Sequence, residues 1–224
     1  MPRSFRFQPP RPRPLSLTRP RLLRALLGRW EHRVTSVVGG AGLGKTTLLA
    51  QAVAENRLAP RGDDVWIGLG PGDADGESLA RDVLAAVDGT TAEARSGDGP
   101  ATAAPSAAAV ADAVWRHSPS TVCLVFDDAH LLPPGSPGAT WLAELVDALP
   151  TNGRVLLAGR NDPPVPLARL AAQGEVLALG DEDLRFTADE VAGFAAERGV
   201  VDVDRLAAAG GWPAMTELAA SVPG

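Results

Sequence analysis

Residues 34–47 read Val-Thr-Ser-Val-Val-Gly-Gly-Ala-Gly-Leu-Gly-Lys-Thr-Thr, and this stretch decides the fold. The first five residues are mostly β-branched and apolar, which predicts a short buried strand over Val34–Val38. This strand runs directly into glycines, and the residues after them predict a helix over Lys45–Leu58. A strand, a glycine-rich turn and a helix in this order are typical of an α/β fold with a parallel sheet.

The glycine-rich turn has the spacing Gly39-x-x-x-x-Gly44-Lys45-Thr46, which in this context indicates a P-loop that holds nucleotide phosphates. Glycines let the backbone curl so that N–H groups point at the phosphates, and the helix N-terminus adds the positive end of its dipole. An ordinary glycine-rich turn is the alternative, and the flanking strand and helix disfavour it. The residues predicted to bind the nucleotide are Gly39, Gly40, Ala41, Gly42, Leu43, Gly44, Lys45, Thr46 and Thr47.

Lys45 is the only lysine in the chain, beside 20 arginines. A compact ammonium fits a tight phosphate cradle where the planar guanidinium of arginine does not. We therefore expect Lys45 to reach the β- and γ-phosphates, and the Thr46 hydroxyl to bind Mg²⁺. A guanine-specific Asn-Lys-x-Asp motif cannot exist in a chain without a second lysine, so the predicted ligands are ATP and ADP.

Strand-like and helix-like segments alternate along most of the chain, which predicts a parallel-sheet P-loop core over residues 19–182. From about residue 183 to 224 the pattern is only helical and predicts a small lid, with a capping box at Thr187-Ala188-Asp189-Glu190. Residues 89–104 are expected to form a loose surface connection. The predicted strands are Val34–Val38, Val65–Leu69, Val122–Phe126, Val155–Ala158 and Val176–Leu179.

Two acidic residues, Asp127 and Asp128, directly follow the apolar run Val122–Phe126. A carboxylate at the end of a buried strand is costly unless it meets a cation, so we expect Asp127 to serve Mg²⁺. Asp128 is a candidate to orient or deprotonate the attacking water. The alternative is a strand that ends in two solvated acids, and it stays more open for Asp128.

Arg160 follows the predicted strand Val155–Ala158, so it lies at the same sheet edge as the phosphates. It is a candidate to contact the γ-phosphate. An arginine after a strand is more often an ordinary surface residue, and this sequence pattern leaves that alternative open.

Charge is unevenly distributed: residues 1–33 hold nine arginines and one acid, while the whole chain has a net charge of −6. A basic arm of this kind over residues 1–33 can bind nucleic acid or an acidic partner surface. The alternative is a solvated, poorly ordered leader, which the basic, proline- and arginine-rich composition predicts over residues 1–18. No run approaches the length of a membrane span, and no secretory apolar core is present. Cys123 is the only cysteine and lies in an apolar run. Together these features favour a cytoplasmic protein with no internal disulfide.

Several motifs together resemble the nucleotide-binding domain of STAND ATPases, in particular the MalT-like branch of large LuxR-type transcriptional regulators. They occur in the family's order between residues 19 and 219. Beside the P-loop they are Arg19-Pro20-Arg21-Leu22-Leu23, Leu124-Val125-Phe126-Asp127-Asp128-Ala129-His130-Leu131-Leu132, Arg160-Asn161-Asp162-Pro163-Pro164-Val165-Pro166-Leu167-Ala168-Arg169-Leu170, Asp183-Leu184-Arg185-Phe186-Thr187 and Gly211-Trp212-Pro213.

The resemblance implies that Asp127 is the Walker B acid, that Arg160 senses the γ-phosphate and that Pro213 packs on adenine. It also implies an ATP/ADP switch with self-association in the ATP state. Ala158-Gly159 departs from the Thr-Ser usual in the family, so a hydroxyl is missing there. The chain lacks the winged-helix, repeat and helix-turn-helix regions of a full regulator, so we expect further regions or partner proteins to supply them. Because the chain is also acidic overall, we expect no specific DNA binding by this chain alone.

Three functions fit these patterns. The leading hypothesis is a nucleotide switch that binds ATP with Mg²⁺ and hydrolyses it slowly within a bacterial LuxR/MalT-like regulator. A turnover P-loop ATPase or kinase is the second hypothesis, and a nucleic-acid-binding module using the basic arm is the third. His130 matches the family motif, and at this point a loop contact is favoured over catalysis.

Overall fold

The computed structural model describes residues 3–12, 16–89 and 103–221. Most of the connection expected at residues 89–104 lies outside the described residues. The strands are β1 Val34–Val38, β2 Asp63–Gly68, β3 Val122–Asp127, β4 Gly153–Gly159 and β5 Val176–Leu179. The helices are α1 Pro20–Leu26, α2 Lys45–Leu58, α3 Glu77–Val87, α4 Ala107–Trp115, α5 Pro137–Ala148, α6 Ala168–Ala172, α7 Asp181–Leu184, α8 Ala188–Arg198, α9 Val203–Ala207 and α10 Pro213–Ser221. Short 3-10 helices occupy Arg3–Phe7, Leu27–Trp30, Pro71–Asp75 and Ala129–Leu131.

The five strands form one parallel sheet in the order β2-β3-β4-β1-β5, which confirms the predicted α/β fold. β1 lies between β4 and β5, with Val34 in register with Val155 on one side and Val176 on the other. Because all strands are parallel, their carboxyl ends share one edge of the sheet. The glycines after β1 and the acids of β3 therefore lie at the same edge.

Helices cover both faces of the sheet, and the alternating side chains of β3 show how. Leu124 and Phe126 point into the larger core, which is packed by α3, α4 and α5. Cys123 and Val125 point into the opposite core, under α1 and α2. All six residues of β3 are buried, as expected for a central strand covered on both faces.

The helical segment after β5 has a small core of its own, built from Val191, Phe194, Ala195 and Leu206. The predicted capping box opens α8: the Thr187 hydroxyl accepts from the Glu190 N–H, and the Glu190 carboxylate accepts from the Thr187 N–H. α8 ends at Gly199, which is left-handed at a φ of 65°. We call residues 185–221 the lid segment.

The N-terminal segment differs from the disordered leader that the composition predicts. Residues Arg3–Phe7 form a 3-10 helix beside β2, and the Arg6 guanidinium enters the protein. It contacts the Asp73 carboxylate at 2.6 Å and the Asp82 carboxylate at 2.9 Å, and its Nε donates to the Gly68 carbonyl at 3.1 Å. Since the Asp73 side chain is only 1% exposed, this arginine neutralises a buried acid. Composition alone could not show this, because the two acids lie more than sixty residues away.

Replacing Arg6 with alanine is expected to lower the free energy of unfolding by about 2–3 kcal/mol, because a buried carboxylate loses its cation. Urea unfolding followed by circular dichroism measures the change. Arg11→Ala is the matched control, since Arg11 is exposed and has no ion pair among the described residues. Equal unfolding midpoints for the two variants would contradict a structural role for Arg6.

Candidate functional site

The glycine-rich loop connects β1 to α2 at the carboxyl edge of the sheet. Gly42 and Gly44 have φ values of 82° and 79°, the left-handed conformation that glycine adopts without a steric cost. Gly44 is the N-cap of α2, so the first N–H groups of that helix open toward the loop. The loop therefore offers a concave set of amides at a helix N-terminus, the arrangement that binds phosphate.

The Lys45 ammonium lies inside this loop and donates to the carbonyls of Gly39 at 2.6 Å and Gly40 at 2.9 Å. Burial lowers the pKa of Lys45, and the positive charge of Arg160 lowers it further, against the opposing effect of Asp127. Two cations near one loop favour a strongly anionic ligand, because such a ligand relieves their repulsion.

Asp127 ends β3 with its carboxylate facing the start of α2, and it is buried. Its Oδ2 accepts a hydrogen bond from the Thr46 hydroxyl at 2.8 Å. Burial is the main cause that raises the pKa of Asp127, and the Thr46 hydrogen bond opposes it. Two oxygen atoms so close together suit Mg²⁺, which takes one or two protein oxygens and completes its shell with phosphate and water.

Asp128 differs from its neighbour in both backbone and exposure. It is left-handed, with a φ of 59°, the only described residue other than glycine with a positive φ. Its side chain is 52% exposed and points away from the core, where it is free to meet water or a ligand. Strained non-glycine backbone of this kind is common at functional sites.

His130 belongs to the same cluster, although the sequence favoured a plain loop contact for it. Its Nδ1 lies 3.8 Å from Asp128 Oδ1 and, within the described residues, is buried with no hydrogen-bond partner. Burial is the main cause that lowers the pKa of His130, and the charges of Arg160 and Lys45 add to it. The spacing Asp128-Ala129-His130 was the available signal, but only the turn after Asp128 brings the ring back to the carboxylate.

Arg160 follows β4 at the same edge, and its side chain is exposed. Within the described part of the chain its guanidinium has no ion pair, yet its charge acts on both Lys45 and His130. The residue before it, Gly159, packs closely against the following turn: a Cβ there would lie 3.2 Å from the His130 amide nitrogen. The small residue at 159, where the family has a hydroxyl, is therefore matched to this contact.

Pro213 is the first residue of α10, and both of its neighbours in the chain hydrogen-bond to the glycine-rich loop. The Trp212 Nε1 donates to the Ala41 carbonyl at 3.0 Å, and the Ala214 N–H donates to the Gly42 carbonyl at 3.1 Å. The structure thus brings the lid segment to the predicted site.

A strand, a glycine-rich loop with lysine and threonine, and an acid at the end of a neighbouring strand define a P-loop nucleotide-binding ATPase domain. The family described as an AAA domain matches residues 29–162, and the chain belongs to this family. The resemblance to MalT-like STAND ATPases that the motifs predict is also confirmed.

Among curated proteins, the transcriptional regulator MalT of Klebsiella pneumoniae is 27% identical to this chain over 196 residues, covering 80% of the chain and 20% of MalT. The chain therefore spans about a fifth of the length of this relative. Among solved structures, Cdc6p of Pyrobaculum aerophilum matches with a TM-score of 0.59 at 17% identity, over 92% of this chain and 60% of that one. A STAND protein with a tetratricopeptide repeat sensor from Pyrococcus horikoshii matches with a TM-score of 0.55 at 15% identity, over 98% of this chain and 32% of that one. These structural likenesses establish the shared fold.

Proposed function

We propose that this chain is an adenine-nucleotide switch: it binds ATP with Mg²⁺, hydrolyses it slowly and holds ADP. The observation that carries the proposal is the hydrogen bond between the Thr46 hydroxyl and the buried Asp127 carboxylate, beside the Lys45 ammonium. These three groups form a cation-and-metal site at the point where a triphosphate would end.

The second group of residues supplies what hydrolysis needs. Asp128 presents an exposed carboxylate that can accept a proton from water or orient it. His130 stands beside this carboxylate, and its Nδ1 has no hydrogen-bond partner among the described residues, so it can fix the orientation of Asp128 or of a water molecule. Arg160 supplies a positive charge at the same edge for the γ-phosphate. In this proposal Lys45 binds the phosphates, and Thr46 and Asp127 hold Mg²⁺. Asp128 acts on the attacking water, and Arg160 contacts the γ-phosphate.

A role within a MalT-like regulator is supported by the likeness to MalT across most of this chain. Self-association in the ATP state, sensor and helix-turn-helix regions outside this chain, and a cytoplasmic location belong to the same proposal. No described helix is long and apolar enough to cross a membrane.

Specific DNA binding by this chain alone is not part of the proposal. The arginines of the basic N-terminal region that reach the core are engaged within the protein. Arg6 meets two acids, and Arg29 pairs with Asp64 at 3.1 Å. Arg33 donates to the carbonyls of Val146, Asp147 and Leu149 at the end of α5. These side chains leave less free positive charge than the composition suggests.

The substitution Arg160→Ala tests whether the chain distinguishes ATP from ADP, as a switch must and a simple nucleotide-binding domain need not. We expect ATP affinity to fall about 10- to 100-fold, because a charged hydrogen bond to the γ-phosphate is worth about 1.5–3 kcal/mol. ADP lacks that phosphate, so its affinity should stay within about twofold. Calorimetric titration of both nucleotides with Mg²⁺ measures the difference.

Arg169→Ala is the control for loss of one arginine, since Arg169 is exposed and pairs with Asp147 on the surface. An equal loss of ATP and ADP affinity in Arg160→Ala would remove the sensor role. A steady-state rate that rises sharply with one small acceptor molecule would favour the turnover enzyme instead.

A further inference from the structure

The tip of the P-loop, residues 40–42, is in direct contact with the lid segment. A Cβ on Gly40 would lie 2.7 Å from Trp212 Cη2, and a Cβ on Gly42 would lie 2.7 Å from the Ala214 Cβ. Real Cβ atoms essentially never approach so closely, so the indole and the loop fit together without room for one methyl group. Two hydrogen bonds join the same surfaces: Trp212 Nε1 to the Ala41 carbonyl and the Ala214 N–H to the Gly42 carbonyl.

Different physical constraints therefore require glycine at different positions of the loop. A Cβ on Gly44 would meet nothing within 4 Å, so its left-handed φ alone requires glycine. Gly40 has no left-handed φ, and its close neighbour is the Trp212 ring. The phosphate cradle explains Gly44, whereas docking of the lid segment explains Gly40.

Contacts made by the residues around Trp212 fix the position of its side chain. Gly210 and Gly211 both have positive φ, and the Gly211 carbonyl accepts from the Phe186 N–H at 2.7 Å. The Arg185 guanidinium lies 5.3 Å from the Trp212 ring centroid and donates to the Gly210 carbonyl at 2.8 Å. An aromatic ring fixed in this way reaches its partner at a low entropic cost.

The strand side of the loop has its own anchor. The Asp181 carboxylate, at the start of α7, accepts from the Gly40 N–H at 2.9 Å. A Cβ on Gly39 would lie 2.7 Å from the same carboxylate oxygen. The loop tip is therefore held between Asp181 on one side and Trp212 on the other.

We propose that Trp212 acts as a latch, by which we mean that its side chain holds the lid segment directly against the P-loop. A change in the conformation of the loop would then move the lid segment through these protein contacts. This deepens the proposed function, because the loop is the nucleotide-binding element of the switch. The base of a bound nucleotide is then not the sole link between lid and core. Trp212 acts as a positioning residue for residues 40–42.

Limited proteolysis of the whole chain without nucleotide tests the latch. Trp212→Ala and Gly40→Ala should each speed cleavage within residues 185–221 by at least about tenfold, since each opens the same contact. The double variant should be cleaved no faster than the faster single variant, because contacting residues are not additive. Trp212→Phe should fall between wild type and Trp212→Ala, as it keeps an apolar ring and loses the N–H.

Two controls match these changes. Trp115→Ala removes an exposed tryptophan at the end of α4, and Gly72→Ala adds a methyl group where no atom lies within 4 Å. Both should leave cleavage at the wild-type rate. If Trp212→Ala fails to fold, the comparison of the single variant Gly40→Ala with its control Gly72→Ala still tests whether the contact holds the lid segment.

Wild-type cleavage in both Trp212→Ala and Gly40→Ala, or fully additive effects in the double variant, would overturn the latch. Because the experiment uses no nucleotide, its result is independent of whether the chain binds ATP. Failure of ATP binding would instead overturn the proposed function and leave the proteolysis result intact.

Discussion

Lys45→Ala should lower the affinity for both ATP and ADP by at least about a hundredfold, because it removes charged hydrogen bonds worth about 1.5–3 kcal/mol each. The Lys45 ammonium lies within the loop and bonds only to the carbonyls of Gly39 and Gly40 among the described residues, so it is available to a phosphate. Its pKa is lowered by burial and by Arg160, and an anionic ligand relieves both effects. Titration calorimetry with ATP and ADP measures the loss.

The folded structure should survive this substitution, since hydrogen bonds join the Lys45 ammonium to two loop carbonyls and, among the described residues, to no other element. Circular dichroism and the thermal midpoint serve as the check. Arg57→Ala, at the last turn of the same helix, is the control for losing one positive charge from α2. Unchanged ATP affinity in Lys45→Ala would refute the central proposal.

Asp128→Asn should slow ATP hydrolysis by about 10²–10⁴-fold while nucleotide affinity stays near that of the wild type, because it removes a group that can take a proton. Asparagine is the suitable substitution, since it tolerates the left-handed backbone that Asp128 adopts. Single-turnover hydrolysis with saturating Mg²⁺ and ATP measures the rate.

Asp127→Asn is the companion variant and should show the opposite pattern. It removes the negative charge that faces the Thr46 hydroxyl, so Mg²⁺-dependent affinity should fall by about tenfold or more, while affinity measured in chelator should change little. A buried amide in place of a carboxylate also keeps a hydrogen-bond partner for Thr46. If Asp127→Asn instead slows hydrolysis and Asp128→Asn instead weakens Mg²⁺-dependent affinity, then Asp128 is the residue that serves the metal and Asp127 the one that acts on water.

Local sequence patterns predicted the central elements closely. β1, α2 and β5 have the bounds that apolar periodicity and the flanking turns indicate. These elements carry their own signals: β-branched runs, glycines, and apolar residues at helical spacing. The order of motifs along the chain likewise brought Lys45, Asp127 and Arg160 to one edge, because parallel strands align their ends.

Other features depend on partners that are distant in sequence, and no local pattern reveals them. β2 begins at Asp63, two residues earlier than predicted, and includes an acid that its own neighbours do not explain. That acid, Asp64, is buried against Arg29, which is 35 residues away. The contacts of Arg6 with Asp73 and of Trp212 with the P-loop also join residues that are far apart in the sequence. Only the folded chain brings these residues together.

The place of β1 in the sheet also governs the order in which the chain can assemble. Its two neighbours are β4 and β5, which follow it by more than a hundred residues, whereas β2 and β3 pair with each other first along the sequence. During synthesis the β1 strand and its glycine loop emerge early and must wait, unpaired, until residues 153–179 have been made. Closing so long a connection is slow, so the β2-β3 layer has time to form before the middle of the sheet does. The glycine-rich loop after β1 is thus expected to reach its final position only after β4 and β5 have been made.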